Sequence, residues 1–446
     1  MTGFRGGMKS LLLGCTSMGL LIAATAAANA GGFALREQSA YGQGSSFAGI
    51  AAGGSLSSMF WNPATMTQQK GMQFEQVFSG VMPYANQTPL AGSTFAAFGG
   101  VSDSGDNAIV PAGYFSYQIN DKLYVGLSAN SPFGLSVSFP DRWAGRNFAE
   151  NTFVRSYNFA PSIAYELNDW ISVGLGFQVQ YATGGFVTGL PVNAAGTPGV
   201  ASLTNTGNLQ FNGYGYGFTA GVTLKPTPTT TVGIGYRSAI NQKVDGSFSL
   251  PAGGVFTPAF GSTPGAVETT LHLPGTFTIG LRQRFSPQWT LLAGFEWTNW
   301  SRIGTSNVNQ TNGAAATLIG NPVTIPLNYK DGYFYSLGAE YEWNQALTLR
   351  SGIAFEKSPI TNDVRTPRLP DNDRFWLSAG LSYKFNQKLS LDFAYTHIWV
   401  KDSTITNTLG AITYVGAVDA RVDIVSLGIK YRFDEPPARV KQAYLK

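Results

Sequence analysis

From Ile171 to Gln180 the chain alternates without a break. Ile171, Val173, Leu175, Phe177 and Val179 share one parity; Ser172, Gly174, Gly176, Gln178 and Gln180 share the other. Phe375, Leu377, Ala379, Leu381 and Tyr383 likewise oppose Arg374, Ser378, Gly380, Ser382 and Lys384. Successive side chains of a strand point to opposite faces, so the pattern predicts strands with one apolar face and one polar, glycine-rich face. Six stretches repeat one hairpin form: "YQINDKLYVGL", "YELNDWISVGL", "TLKPTPTTTVGIGY", "RQRFSPQWTLLAGF", "YEWNQALTLRSGI" and "YKFNQKLSLDFAY". In each, an aromatic or apolar strand end meets a short polar turn and a second alternating run. Six turns join twelve strands; one strand precedes them, at about Met72 to Tyr84, and one follows, at about Val422 to Phe433, which makes fourteen.

A sheet that is apolar on its outer face and polar within suits lipid outside and a lumen inside. In lipid every backbone group must be bonded, so such a sheet has to close. An even strand count puts both termini on the short-turn side, the periplasm, and seven longer loops on the other. A soluble sandwich or propeller would bury both apolar faces and would not need so many tyrosines and tryptophans at strand ends. The expected fold is all-β: a 14-stranded antiparallel transmembrane β-barrel over residues 71–433. Composition agrees, for charged residues are 12% of the chain, about half the usual share, beside 54 glycines. After the first thirty residues no apolar run is long enough for a membrane helix. The net charge of +4 is small and evenly spread, which argues against nucleic acid.

Residues 1–30 read as a cleavable signal peptide. Arg5 and Lys9 precede an apolar run ending in Ala28-Asn29-Ala30, an A-x-A cleavage pattern, so the mature chain is expected to start at Gly31. Translation from Met1 and from Met8 are both compatible with this. Cys15, the sole cysteine, lies in that segment, leaving the mature chain no disulfide, thiolate ligand or catalytic thiol. Chemistry is otherwise sparse. His397 has outward parity between Tyr395 and Trp399, as in an interfacial aromatic belt. His272, placed at a loop-to-strand boundary, has no serine nucleophile motif beside it. No phosphate loop or metal-ligand spacing is present, and the acids of "PDNDR" suit turn and lysine or arginine contacts. The expectation is a protein that is not an enzyme and uses no cofactor and no metal.

Arg237, Arg282, Lys330, Arg350 and Arg374 fall on lumen parity with Glu296, Glu340 and Asp392. They can form a salt-bridged wet interior, or one or two can hold an anionic head group in an aromatic passage. Fourteen strands enclose enough room to leak, so a segment should fill the lumen. Residues 31–70 are the available filler, small residues with dispersed aromatics. Within them "MFWNPATM" has a rigid bend: Pro63 fixes its own φ and keeps Asn62 out of helical geometry, and the Asn62 side chain can bond nearby backbone.

The stretch "GGFALREQSAYGQGSSFAGIA…WNPA" resembles the N-terminal hatch of the FadL family, outer-membrane channels for long-chain fatty acids and related hydrophobic compounds. Ala129-Asn130-Ser131-Pro132-Phe133-Gly134-Leu135, "RSGIAFEKSPI" and "LPDNDRFWLSAG" extend the resemblance over nearly the whole mature chain. It implies a hatch at 31–70, braced by Asn62, Pro63 and Ala64. It also implies ligand capture at extracellular loops, an internal pocket touched by Phe33, and sideways release at a strand-three kink over Ser131, Pro132, Phe133 and Gly134. A break there makes independent sense, since Pro132 has no N–H for a ladder. Lys330 matches a family lysine near the ligand carboxylate. The family's strand-five arginine is replaced at about Thr183, which keeps a neutral aromatic or alkane ligand open beside a fatty acid. The expected partners are that hydrophobic ligand and outer-membrane lipid; a closed barrel has no edge to pair, which favours a monomer. "GIKYRF" looks like the terminal strand signal, and residues 434–446 read as a polar periplasmic tail.

Overall fold

A computed structural model describes residues 31–190, 206–249, 265–310 and 322–434. The signal peptide and nearly all of the C-terminal tail lie outside the described residues. Fourteen barrel strands follow in chain order. They are β1 (Met72–Pro89), β2 (Ala108–Gln118), β3 (Leu123–Asn130 and Gly134–Ser138), β4 (Asn151–Asn168) and β5 (Ile171–Gly189). Next come β6 (Thr206–Thr227), β7 (Thr230–Arg237 and Ile240–Ser249), β8 (Gly265–Leu273 and Thr276–Arg284) and β9 (Trp289–Thr298 and Thr305–Gln310). The last are β10 (Gly332–Glu342), β11 (Leu347–Lys357), β12 (Arg374–Lys384), β13 (Leu389–Val400 and Ser403–Leu409) and β14 (Ile412–Arg432). A short strand, Val323–Pro326, pairs with the end of β9.

Each strand pairs antiparallel with its neighbours, and β1 closes on β14 from Gln73↔Arg432 to Pro89↔Gly416. All six short turns fall where the sequence places them. The first and last strands run longer than the alternation suggests and stay paired with each other to Pro89↔Gly416. The two faces sort by parity: Leu175, Phe177, Leu377 and Tyr395 are exposed outward, while Gln178, Ser378 and Thr396 are buried inward. His272 stands inside β8 rather than at its boundary, opposite Asn241, whose Oδ1 lies 2.9 Å from Nδ1.

Ahead of β1 the chain folds into short helical turns, Ala40–Gln43, Ile50–Ala52, Leu56–Phe60 and Pro63–Gln68. Nearly every residue in this stretch is buried, and its partners lie around the whole inner wall. Thr67 Oγ1 donates to Ser172 on β5 at 2.9 Å, the Asn62 amide donates to Val222 O on β6 at 3.0 Å, and Ser46 and Ser378 on β12 share a 2.7 Å hydroxyl bond. The inward glycines make this possible: a Cβ on Gly233 would overlap the Ala51 carbonyl, and one on Gly235 the Trp61 carbonyl. The glycine-rich face therefore admits backbone.

Candidate functional site

The two pieces of β3 differ in their partners. Leu123–Asn130 pairs on both sides, with β2 as far as Gly113↔Ala129 and with β4. Gly134–Ser138 pairs only with β4, and the facing half of β2, Ala108 to Ala112, pairs only with β1. An isolated bridge, Gly105↔Val137, joins the edges again above. The wall thus has a gap at Ser131–Gly134, the stretch that the family resemblance implied as the kink. Pro111 stands on the opposite lip, in β2. A proline inside a strand marks an edge, and "AIVPAGYF" carried this unread signal.

The N-terminal segment lies along the gap from within. Leu35 N donates to Pro132 O at 2.8 Å, Gly134 N donates to Phe33 O at 2.9 Å, and Ala34 bridges Phe133. The Gln38 side chain donates to Ser131 O at 2.8 Å and accepts from Ser131 N at 3.4 Å. Phe33 packs edge-on against Trp300 at 4.8 Å and beside Phe133 at 5.8 Å, and Tyr329 meets Trp300 at 6.0 Å. This aromatic group belongs to a cluster shared with Leu135, Trp143, Ile360, Leu369 and Tyr414, most of them in or near the loops opposite the short turns.

Asn62 is extended (φ −147°) and caps the turn that starts at Pro63: Ala64 N donates to Asn62 Oδ1 at 3.0 Å. Its Nδ2 also donates to Ala51 O at 2.8 Å, tying two parts of the segment together. Ala64 is fully buried over Gly174.

The lumen charges are mostly matched. Arg282 and Arg350 both meet Glu340, at 2.6 and 3.2 Å, and Lys430 meets Asp392 at 2.7 Å. Tyr41 of the N-terminal segment enters this group. Its hydroxyl donates to Glu340 at 2.5 Å and accepts from Arg282, and the Arg350 guanidinium lies 4.1 Å over its ring. Arg374 meets Asp371, and Arg36 joins Glu296 at 2.5 Å and Glu356 at 3.4 Å. Lys330 departs from its expected parity. It is exposed and precedes the first residue of β10 by two positions, so strand alternation does not apply there; the buried neighbour is Tyr329. Thr183 bonds Phe211 O at 3.2 Å and pairs with Arg155 across β4 and β5.

Arg237 is different. It donates to Phe60 O at 3.1 Å and to Gln178 Oε1 at 2.5 Å, lies 4.0 Å over the Phe60 ring, and meets no carboxylate at ion-pair distance among the described residues. It lines a cavity of about 60 Å³ with Ala34, Leu35, Phe60, Trp61 and Phe133, directly inside the gap.

The profile of the family described as "Outer membrane protein transport protein (OMPP1/FadL/TodX)" matches residues 21–433. The chain belongs to the FadL family. The "Long-chain fatty acid transport protein" of Escherichia coli (strain K12) is 30% identical over 401 residues, covering 82% of this chain and 87% of that one. The "47 kDa outer membrane protein" of Pasteurella multocida is 29% identical over 423 residues, covering 91% and 95%. Among solved structures, a Pseudomonas aeruginosa FadL homologue superposes with TM-score 0.80 at 23% identity, covering 90% of this chain and all of that one. The Pseudomonas putida toluene transporter TodX gives 0.63 at 16% identity, covering 86% and 95%. This FadL-family protein is thus a bacterial outer-membrane β-barrel of a family that transports hydrophobic compounds.

Proposed function

We infer that this FadL-family barrel takes up long-chain fatty acids passively and releases them sideways through the strand-three gap. The observation that carries the reading is Arg237, a half-buried cation with no carboxylate at ion-pair distance among the described residues, lining the cavity beside that gap with Phe60, Phe133, Arg36 and Glu296. A carboxylate-bearing chain would complete it by a charge-assisted bond while its tail lies along Leu35, Phe60 and Phe133. Phe33 is the ligand contact in this scheme; Lys330, exposed ahead of β10, is not its cation. The names of the curated relatives point the same way. The cavity, about 60 Å³, holds about four waters and no chain, so residues 31–38 must shift for a ligand to enter. Residues 31–70 then act as the hatch.

Uptake and binding of oleate and toluene by the wild type and by Arg237→Gln test this. Oleate binding should weaken while toluene is unaffected. If only toluene is taken up and the substitution changes nothing, the ligand is a neutral hydrocarbon, the second reading that the TodX resemblance keeps in view.

A further inference from the structure

The described chain opens on two glycines aimed at carboxylates. Gly31 N donates to Glu356 Oε1 at 3.2 Å and Gly32 N to Asp371 Oδ2 at 3.0 Å, both buried. Both fit closely: a Cβ on Gly31 would press on the Glu356 carboxylate, and Gly32 has φ +67° against the Trp300 ring. The surrounding charge does not balance. Glu296, Glu356 and Asp371 are answered by Arg36, Arg374 and Arg365, and a fourth buried carboxyl, Glu37, has no hydrogen-bond partner on either oxygen among the described residues. Arg365, next to Asp371, bonds the carbonyls of Asp371 and Thr404 and the side chain of Asn362. Buried carboxylates without counter-ions are costly.

We propose that signal-peptide removal supplies the missing cation: the new Gly31 α-ammonium pairs with Glu356 and fastens the hatch over the gap. Hydrolysis of the Ala30–Gly31 bond consumes one water and leaves a carboxylate on Ala30 and an amine on Gly31. That amine takes up a proton at neutral pH. Leader cleavage is then also a maturation step, since an amide nitrogen at that place carries no charge.

The test is amine labelling of the protein purified from outer membranes in detergent, after N-terminal sequencing. Sequencing should find Gly31 first. Its α-amine should label about tenfold more slowly in the native barrel than in the urea-unfolded chain, as an ion pair worth one pKa unit requires. Glu356→Gln, checked for folding by heat-modifiable gel mobility, should remove most of that protection. The unmutated protein decides independently through the pH profile of labelling. A counter-ion moves reaction above the ordinary α-amino value, whereas burial alone moves it below. A chain starting elsewhere, labelling at the unfolded rate, or a profile moved below the ordinary value overturns the proposal. None of these readouts depends on which ligand the channel carries.

Discussion

Tyr41→Phe removes one atom at the centre of the hatch anchorage and leaves the rest in place. Arg282 still reaches Glu340 Oε2 at 2.6 Å, Arg350 still reaches Oε1 at 3.2 Å, and the ring still lies under Arg350. What is lost is a bond from a 5%-exposed residue to an ionised carboxylate, together with the bond that its hydroxyl accepts from Arg282. A hydrogen bond to a charged group is worth about 1.5–3 kcal/mol. From the carboxylate bond alone, the population with the hatch displaced should rise at least about ten-fold. In planar bilayers this reads as more frequent conductance openings, with the conductance of each opening unchanged. Hydrogen exchange at Gly42 to Ala48 should accelerate by the same factor. If Tyr41→Phe opens no more often than the wild type, the Tyr41–Glu340 contact does not hold the hatch and the reasoning fails.

Gly233→Ala would set a methyl against the Ala51 carbonyl, so the hatch should seat poorly and leak current while β7 remains folded by gel mobility. Pro132→Ala with Gly134→Ala should let β3 pair continuously, and oleate uptake should fall to that of cells without the protein. A variant that transports normally would remove lateral release from consideration. In the β3–β4 loop, burial pushes the Glu150 carboxyl above its ordinary range, more than the nearby Arg146 draws it down. The packed loop therefore binds that proton more tightly than an open loop does. Closure is favoured at low pH and weakens as pH rises from the ordinary carboxylate value through the raised one. Protection factors at 141–149 should fall as pH rises above the ordinary carboxylate value of about 4, and Glu150→Gln should flatten the profile.

The barrel was legible because its signals are local: alternation fixes the face of each residue, and the turns fix the strand ends. The kink came from the family resemblance; Pro132 and Gly134 only make a break in the ladder sensible at that place. Lys330 was misplaced because parity holds only inside a strand, and the chain is irregular until Gly332. The Tyr41–Glu340 contact joins residues 299 apart in sequence, and no periodicity links them. The inward glycines were visible, but the backbone they admit was not. Nor could lumen parity alone separate Arg237 from Arg282 and Arg350. That difference rests on which carboxylates face them across the barrel.

Filling the pocket and sealing the wall are one act in this structure, and that bears on how uptake is driven. Phe33 occupies the aromatic group while its own carbonyl accepts from Gly134, and Leu35 N holds Pro132 O. A ligand that lifts the backbone at Phe33 to Leu35 away breaks both bonds, so it would open the gap as it binds. Two such bonds are worth about 1–3 kcal/mol together. Burying a methylene returns about 0.8 kcal/mol, so about four methylenes offset those two bonds. A long acyl chain would exceed that several-fold, leaving a surplus to set against the other contacts of the segment. A short, fully polar solute offers no such return and leaves the gap shut, which would let the barrel discriminate while remaining a passive channel.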